Sequence, residues 1–205
     1  MKKQKQKNYT LFDKYKVIKI ENFIANNFIK NFHYLHSYPT EIKNRNFGLY
    51  ENENLIGVCS FGACVSWRLT FNSINKISPD NFIELNRLVL KDNLPNQASF
   101  LVSRSLKLLP KPKVVVSYAD TAQDHAGIIY QACNFLFTGT TKARTDIAGK
   151  DGRHSRHHLG DRQNRINRSA KHRYVYFIGS KKDKKTLRNA LRYTIEDTYP
   201  KLYQE

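Results

Sequence analysis

The sequence predicts an α/β fold, in which a mixed central sheet is flanked by helices and a basic insertion precedes the last strand. Short β-branched runs alternate with segments of helical periodicity, a pattern typical of strands joined by helices. The chain has 205 residues, of which 40% are hydrophobic, enough to bury one core. Its net charge of +18 is concentrated in separate segments. We therefore expect one nearly neutral folded domain with basic attachments.

The first part of the domain contains the signals of a strand, a helix and a hairpin. Residues 15–21, YKVIKIE, alternate apolar and polar side chains, as a half-buried strand does. The segment FIANNFIKNFHYLH that follows has helical periodicity, and Asn22 is placed to cap it. Two apolar runs, 47–50 and 55–61, flank the polar turn residues 51–54 and predict an antiparallel hairpin.

The second part predicts a strand, a helix and a further strand that forms the middle of the sheet. Residues 82–90, FIELNRLVL, suit a central strand, and ASFLVSRSLKLL after the loop KDNLPN suits a helix. The run KVVVSY at 113–118 is rich in β-branched residues and predicts a buried strand, so these two strands should form a parallel crossover. A helix over 127–135 and strands at 135–138 and 173–178 complete the order.

The positive charge lies in three segments of the chain. Residues 1–19 carry seven lysines and one aspartate, and residues 142–173 carry ten basic and three acidic residues. Residues 181–192 carry six basic and one acidic residue, whereas the rest of the chain is almost neutral. Such a charge distribution is typical of a protein that meets a polyanion, although charge alone does not separate DNA from RNA.

The same charge pattern predicts the organisation of the chain. We expect a basic, flexible arm over residues 1–14, a folded domain over 15–180 with a basic insertion at 142–172, and a basic C-terminal helix over 181–205. No window approaches 18 consecutive apolar residues, and no apolar stretch follows the first lysines. The expected localisation is therefore cytoplasmic, with no membrane contact.

Four segments resemble the bacteriophage Mom family. They are FHYLHSYP at 32–39, ELNRLVL at 84–90, SYADTAQDHAGIIYQACNFLFTG at 117–139 and KHRYVYF at 171–177. The element order is also similar to that of the acyl-CoA-dependent N-acetyltransferases, the GNAT superfamily. The resemblance implies a GNAT-like catalytic domain at 15–180 that transfers a carbamoylmethyl group to N6 of adenine in phage DNA and so protects the DNA from restriction. It also implies duplex DNA as partner and acyl-CoA as cofactor.

Asp120 is the candidate general base for this chemistry. The exocyclic N6 of adenine is a weak nucleophile because its lone pair is delocalised into the ring, so a group must accept its proton as the new bond forms. Asp120 follows the buried strand KVVVSY, and active sites lie at the carboxyl ends of such strands. The alternative is that Asp120 only caps the next helix or makes an Asx turn with Thr121.

Two tyrosines and one arginine are further candidates. Tyr130 could protonate a leaving thiolate, as the acetyltransferase resemblance implies, or could belong to the core. Tyr118 offers a stacking surface for a base extracted from the DNA. Arg87 interrupts an apolar strand, where a cation is costly unless it is paired or faces a site. It would contact a cofactor phosphate, the substrate carbonyl or the DNA backbone, or form a salt bridge with Glu84.

Ser105 and a histidine pair complete the catalytic candidates. Ser105 matches a serine that the Mom resemblance implies, although serines in helices are usually structural. His33 and His36 lie three residues apart, which in a helix places them on one face. They could act as a base with its positioning partner, or they could bind iron(II) together with Asp120 in a two-histidine, one-carboxylate site. A solvent-facing pair is the alternative.

The predicted cofactor segment departs from the acetyltransferase pattern. That pattern is a Gln/Arg-x-x-Gly-x-Gly/Ala loop, but LPNQASF has no glycine. Backbone N–H groups at a helix N-terminus bind phosphate even without glycine. The expected cofactor contacts are Leu88, Leu90, Asn96, Gln97, Ala98 and Ser99.

The basic insertion supplies the expected DNA contacts. Arg162, Arg165 and Arg168 recur every third residue, so they form one arginine face if the segment is helical. Such a face would oppose the phosphate backbone. The other expected DNA contacts in this region are Arg153, Arg156 and Lys171.

Two other classes of function stay open at this point. An ordinary N-acetyltransferase that acts on RNA, protein or a small amine would share the fold but not the product. A non-catalytic DNA-binding phage protein would keep DNA affinity without any modification to lose. The sequence also leaves open the group donor, any helper proteins and the sequence context of the adenine. It does not determine the oligomeric state either, although a homodimer is one candidate.

Overall fold

The structure is a computed structural model that describes residues 10–33, 45–64, 78–147 and 165–201. These residues form nine strands and five α-helices. The strands are β1 (Tyr15–Ile20), β2 (Arg45–Glu51), β3 (Asn54–Ala63), β4 (Phe82–Leu90), β5 (Lys113–Asp120), β6 (Leu136–Thr140), β7 (Arg144–Ile147), β8 (Arg165–Arg168) and β9 (Lys171–Ile178). The helices are α1 (Leu11–Lys14), α2 (Asn22–Phe32), α3 (Gln97–Leu108), α4 (Ile128–Ala132) and α5 (Lys181–Asn189).

Seven of these strands form one sheet in the order β1-β2-β3-β4-β5-β9-β6, and β7 and β8 form a separate two-stranded ribbon. The β1–β2, β2–β3 and β3–β4 pairs are antiparallel, and the β2–β3 pair confirms the predicted hairpin. Strands β4 and β5 are neighbours although α3 lies between them in the chain. The predicted mixed α/β architecture is therefore confirmed.

The chain divides into two compact units. The first comprises Met1–Val116 and Tyr176–Arg192, and the second comprises Ser117–Val175 and Tyr193–Glu205. In the first unit, α2 buries Ala25, Phe28 and Ile29, which recur at the spacing of one helix face. These side chains pack in a cluster with Val58 of β3 and Val89 of β4. Apolar burial on one helix face thus orders the first unit.

The second unit has an aromatic core. Tyr174 of β9 is fully buried, and its ring lies 5.3 Å from that of Tyr130 and 5.5 Å from that of Phe137, measured between centroids. Tyr199 stacks on Tyr174 at 6.4 Å and donates a hydrogen bond of 2.8 Å to the carbonyl of Phe135. Aromatic packing of this kind buries a large apolar area, and it ties the segment after Tyr193 to the second unit.

Helix α2 differs from its prediction at both ends. The N-cap position is taken by Glu21 rather than Asn22, because the Asn22 side chain instead accepts a hydrogen bond of 2.7 Å from Asn46. The helix ends at Phe32, whose side chain is already 45% exposed, so a further turn would bury little. His33 follows with extended backbone.

The C-terminal helix is shorter than predicted. Helix α5 begins after Ser180, whose side chain accepts a hydrogen bond from the Asp183 N–H, and it ends at Asn189. The segment after it leaves the helical path because Tyr193 packs on Arg173 and Tyr199 packs on Tyr174. Of the N-terminal arm, the structure describes Thr10 and α1. Within the described ranges, no helix is long and apolar enough to cross a membrane.

Candidate active site

The Asp120 carboxylate lies at the end of β5 and is held by three donors. Lys171 Nζ lies 2.6 Å from Oδ2, and the Ser169 hydroxyl donates to Oδ1. The backbone N–H of Ala122 also donates to Oδ1, at 3.0 Å. This last bond caps the short 3-10 helix Thr121–Gln123, so the capping alternative for Asp120 is part of the observed structure. The cap occupies one oxygen and leaves Oδ2 to Lys171.

A second contact brings the segment before β9 to the end of β5. The carbonyl of Ala170 accepts two hydrogen bonds from Thr121, one from the backbone N–H at 3.2 Å and one from the hydroxyl at 2.7 Å. Ala170 lies between Ser169 and Lys171, so these bonds fix the two residues that contact Asp120. The carboxylate is therefore positioned by a short network on a rigid strand end.

The environment of Asp120 favours its ionised form. Burial of the carboxyl raises its pKa, but the hydrogen bonds from Lys171, Ser169 and the Ala122 N–H together hold the pKa below its ordinary value. The Asp120 side chain is 20% exposed and the Lys171 side chain 39% exposed. The carboxylate is thus charged at neutral pH, partly accessible, and in the protonation state that accepts a proton.

Tyr118 and Tyr130 belong to the same unit as Asp120. Tyr118 lies two residues before Asp120 on β5, so both side chains lie on one face of the strand, opposite the buried Ala119. Tyr130 is half-buried in α4 and packs at 5.5 Å on Phe135 as well as on Tyr174. Tyr130 therefore contributes to the aromatic core, as one of the two predictions for it held, while part of its side chain stays exposed.

Arg87 and Ser105 belong to the first unit. Arg87 is half-buried on β4, where its guanidinium donates to the carbonyl of Asn86 at 2.7 Å. The Ser105 hydroxyl on α3 is fully buried and has no hydrogen-bond partner among the described residues. A buried hydroxyl without a partner costs about 1–3 kcal/mol. The packing of the described residues therefore gives no structural reason for this serine.

The predicted cofactor segment forms the turn before α3 and its first turn. Gln97 is buried, its side chain accepts from the Leu94 N–H at 3.0 Å and donates to the Tyr15 hydroxyl at 3.1 Å, and its own N–H donates to the Leu94 carbonyl. Gln97 is therefore engaged within the fold. The first i→i−4 bond of α3 runs from Phe100 to Asn96, so the N–H groups of Ala98 and Ser99 belong to the first turn.

Asparagines replace the missing glycines in this turn. Asn93 has φ = 46° and Asn96 has φ = 66°, both in the left-handed region. Asparagine tolerates this conformation better than most residues with a side chain. The two asparagines were a signal in the sequence for a glycine-like turn. Leu88 and Leu90, the other predicted contacts, are half-buried on β4.

The structure does not support the iron site. Because α2 ends at Phe32, His33 is not part of a helix face, and His36 lies outside the described residues. Among the residues that the structure describes, no group of three metal-ligating side chains is present. The proposal of iron(II) at His33, His36 and Asp120 is therefore withdrawn.

The described end of the basic insertion is a strand and not a helix. Strand β8, Arg165–Arg168, pairs antiparallel with β7, so residues three apart point to opposite faces. The helical arginine face is thus wrong for Arg165 and Arg168, because pairing with β7 gives this segment an extended backbone. Arg153, Arg156 and Arg162 lie outside the described residues. Lys171 pairs with Asp120, and its contact with DNA stays a prediction.

Arg173 was missed by sequence reasoning. It is buried on β9, donates to the hydroxyl and carbonyl of Thr138 at 2.9 Å and 2.6 Å, and lies 3.3 Å from the centroid of the Tyr193 ring. Burial lowers its pKa. Ser169 was missed as well. Neither residue stands out in the sequence, because their partners lie far away in the chain.

Solved structures with a similar fold are acetyltransferases. The spermidine/spermine N-acetyltransferase SpeG from Vibrio cholerae aligns with a TM-score of 0.51 and 14% identity over 82% of this chain and 95% of its own. Arabidopsis thaliana NAA60, solved in complex with acetyl-CoA, aligns with a TM-score of 0.50 and 12% identity over 80% of this chain and 98% of its own. At such identities the likeness shows the fold alone, and it confirms the predicted GNAT-like fold.

Sequence comparison gives a narrower relationship. Methylcarbamoylase mom of Escherichia phage Mu is 32% identical over 98 residues, which cover 45% of this chain and 41% of that protein. The match thus spans less than half of this relative. The profile of the Mom protein family matches residues 14–201, almost the whole chain. On this match, the chain belongs to the Mom protein family.

Proposed function

We propose that this protein is a transferase that attaches a carbamoylmethyl group to N6 of adenine in duplex DNA. Membership of the Mom family and the likeness to a phage methylcarbamoylase support a DNA modification enzyme. The net charge of +18 suits a polyanionic substrate. Modified adenine would no longer fit a restriction nuclease, so the product would protect phage DNA.

The observation that carries the proposal is the positioned Asp120 carboxylate. Oδ1 is held by the Ser169 hydroxyl and the Ala122 N–H, while Oδ2 accepts from Lys171. A carboxylate oxygen has two lone-pair sites, so Oδ2 can accept the N6 proton while it keeps its hydrogen bond from Lys171. Asp120 then acts as the general base that takes the N6 proton while the nitrogen–carbon bond forms and the bond from that carbon to the leaving group of the donor breaks.

Tyr118 would receive the adenine ring. The target nitrogen lies inside a stacked base pair, so the base must leave the helix, at a cost of about a few kcal/mol. Stacking on an aromatic ring offsets part of this cost. Tyr118 lies on the same face of β5 as Asp120, which suits it to hold the base whose proton Asp120 accepts.

The turn before α3 fits an acyl-CoA cofactor in one respect. Asn93 and Asn96 have left-handed backbones, and the first-turn N–H groups of Ala98 and Ser99 follow them. A turn of this kind at the start of a 12-residue helix suits a pyrophosphate. These N–H groups would hold the cofactor, which would supply an activated acyl group with the CoA thiolate as its leaving group. A carbamoylmethyl group is joined to N6 through a methylene carbon, so a rearrangement or another enzyme would have to complete the product after acyl transfer.

The test is mass spectrometry of nucleosides from the DNA of cells that express the protein. We expect a deoxyadenosine species heavier by a carbamoylmethyl unit, reduced about 10²- to 10⁴-fold by Asp120→Asn. Asparagine keeps an acceptor for the Ala122 N–H but loses the charge. The matched control is Asp124→Asn, which removes the same charge from an exposed residue whose left-handed backbone suits asparagine.

Other outcomes would contradict the proposal in distinct ways. An acetyl-sized mass shift on DNA, RNA or protein would favour the ordinary N-acetyltransferase reaction of the fold neighbours. Unmodified DNA that the protein nevertheless binds would favour a non-catalytic DNA-binding protein. Equal activity of the Asp120→Asn and Asp124→Asn variants would remove Asp120 from the chemistry.

A further inference from the structure

The β7–β8 ribbon has two different faces. Residues directly opposite each other in an antiparallel pair share a face, and so do residues two apart in one strand. Arg144 pairs with Arg168, and Asp146 pairs with Ile166, so these four form one face. Asp146 accepts from Arg168 at 3.3 Å and from Arg144 at 3.5 Å. We call it the ion-paired face, since one carboxylate offsets part of the charge of two arginines.

The opposite face is polar and exposed. Thr145 pairs with Asn167, and Ile147 pairs with Arg165, and we call these four residues the outer face. Thr145, Arg165 and Asn167 are exposed and Ile147 is half-buried. Arg165 Nη1 donates to the Thr145 hydroxyl at 3.2 Å. Among the residues that the structure describes, no carboxylate lies on this face, so its cation and its amide can contact a partner.

This set of side chains suits the edges of base pairs in B-DNA. Arginine pairs with O6 and N7 of guanine, asparagine with N6 and N7 of adenine, and threonine with either, while an aliphatic side chain contacts the thymine methyl group. The major groove of B-DNA, about 12 Å wide, admits a two-stranded β-ribbon. The deep and narrow major groove of A-form RNA does not admit one. Duplex DNA is therefore the favoured partner.

The ribbon is joined directly to the Asp120 network. Strand β8 ends at Arg168, and the next residue, Ser169, donates to the Asp120 carboxylate. Ser169 lies four positions after Arg165, a distance of about 13 Å in an extended chain, or roughly four base-pair steps. A base contacted by the outer face would therefore lie within a few base pairs of the adenine at Asp120.

We propose that the outer face of the β7–β8 ribbon binds base edges in the major groove and so sets the sequence context in which adenine is modified. The inference rests on the proposed function, because it presupposes that DNA is the substrate. It assigns different roles to residues of equal charge. Arg165, on the outer face, selects sequence, whereas Arg144, on the ion-paired face, does not.

The test measures modification in a pool of duplexes with randomised bases around one adenine. Sequencing of the modified fraction gives the preference at each position. We expect Arg165→Ala to lower discrimination at one base pair by roughly 5- to 150-fold, and Asn167→Ala to do so at another. Arg165→Lys should lose the same discrimination while it keeps affinity, because lysine keeps the charge but not the bidentate fork.

The matched control is Arg144→Ala, which removes the same charge from the same ribbon. The Arg144 side chain is 64% exposed and pairs with Asp146 only at 3.5 Å, so its loss should leave the ribbon folded. We expect Arg144→Ala to leave the context preference unchanged. Thermal unfolding of all four variants would show whether each is folded.

Three results would overturn the inference. If the wild-type protein modifies adenine equally in all sequence contexts, the outer face does not select sequence. If Arg165→Ala and Asn167→Ala lower modification by the same factor in every sequence context, these residues contact phosphates and not bases. Preferential modification of RNA would exclude binding of the ribbon in a B-DNA major groove, because the major groove of A-form RNA does not admit it. Failure of the proposed function itself is distinct, since the wild-type protein would then leave adenine in duplex DNA unmodified.

Discussion

The hydrogen bonds that hold the Asp120 carboxylate in place also lower its pKa. Its carboxylate caps a short helix through the Ala122 N–H and pairs with Lys171 across 51 residues of chain. The sequence predicted Asp120 as a base or a cap, and the structure contains the cap on one oxygen and the ion pair with Lys171 on the other. The pairing of Lys171 with Asp120 could not be predicted from the sequence, because it depends on where Thr121 anchors the Ala170 carbonyl.

Replacement of Lys171 by methionine should change the pH dependence of activity. Burial raises the pKa of Asp120, and the Lys171 ammonium is the first of the groups that lower it. Without that ammonium, the pKa of Asp120 rises, so the ionised base is lost at a higher pH. We expect the acid limb of the pH–rate profile to move to higher pH in Lys171→Met and to stay in place in Lys171→Arg.

The sign of the stability effect follows from the same pKa. A carboxyl whose folded-state pKa is lowered stabilises the fold above its unfolded pKa, and this contribution is lost as pH falls through the folded pKa. Lys171→Met should therefore lose stability at neutral pH but little in strong acid. An unchanged acid limb with weaker DNA binding would instead support the predicted DNA contact of Lys171.

At the level of elements, regular and buried segments were predicted well. Strands β1 and β4 and helix α3 were predicted from the alternation or periodicity of their apolar residues, and burial of such residues is most extensive in β4 and α3. The β7–β8 ribbon was missed because RTDI and RINR are short and polar, and their pairing connects residues 18 to 24 positions apart in the chain. Arginine at every third residue suggested a helix, but cross-strand pairing determined the backbone.

Gly127 gives a prediction about the packing of α4. It has φ = 73° as the N-cap of that helix, and a Cβ at this position would overlap the buried Tyr174 ring. We expect Gly127→Ala to lower the free energy of unfolding by about 2–4 kcal/mol, from the left-handed backbone and overpacking together. Denaturant unfolding followed by aromatic fluorescence would measure this change.

Gly139 is the matched control for that substitution. It also has a left-handed backbone, φ = 92°, but a Cβ there would meet only the Glu196 carboxylate, at 3.9 Å. Gly139→Ala should therefore show the backbone cost alone, about 1–2 kcal/mol. If both variants lose the same stability, contact with Tyr174 contributes nothing.

At the scale of the whole molecule, the charge distribution sets the expected mode of DNA binding. Helix α5 is strongly basic. Leu187 is its buried residue, and its four lysines, Lys181, Lys182, Lys184 and Lys185, are exposed to solvent.

The fold and the charge segments were predictable because they depend on composition and periodicity. The two faces of the ribbon and the Asp120 network were not, since they arise from contacts between residues distant in the chain.

Neutralisation of these lysines should weaken DNA binding without a change in sequence preference. Each phosphate contact that is lost reduces the slope of log K against log salt by about 0.9. We expect the variant with glutamine at Lys181, Lys182, Lys184 and Lys185 to show a weaker affinity and a slope reduced by roughly 1–4, measured by titration of duplex DNA at several salt concentrations.

The control for this variant places the same charge change elsewhere. Four of the exposed lysines outside the three basic segments are Lys30, Lys91, Lys107 and Lys111. Their replacement by glutamine gives a protein of identical net charge. If DNA binding depends on positive charge located on α5, the control variant keeps most of its affinity for DNA and most of its salt slope. Equal losses in the two variants would show that net charge alone governs binding, and the basic helix would then have no specific place in the DNA interface.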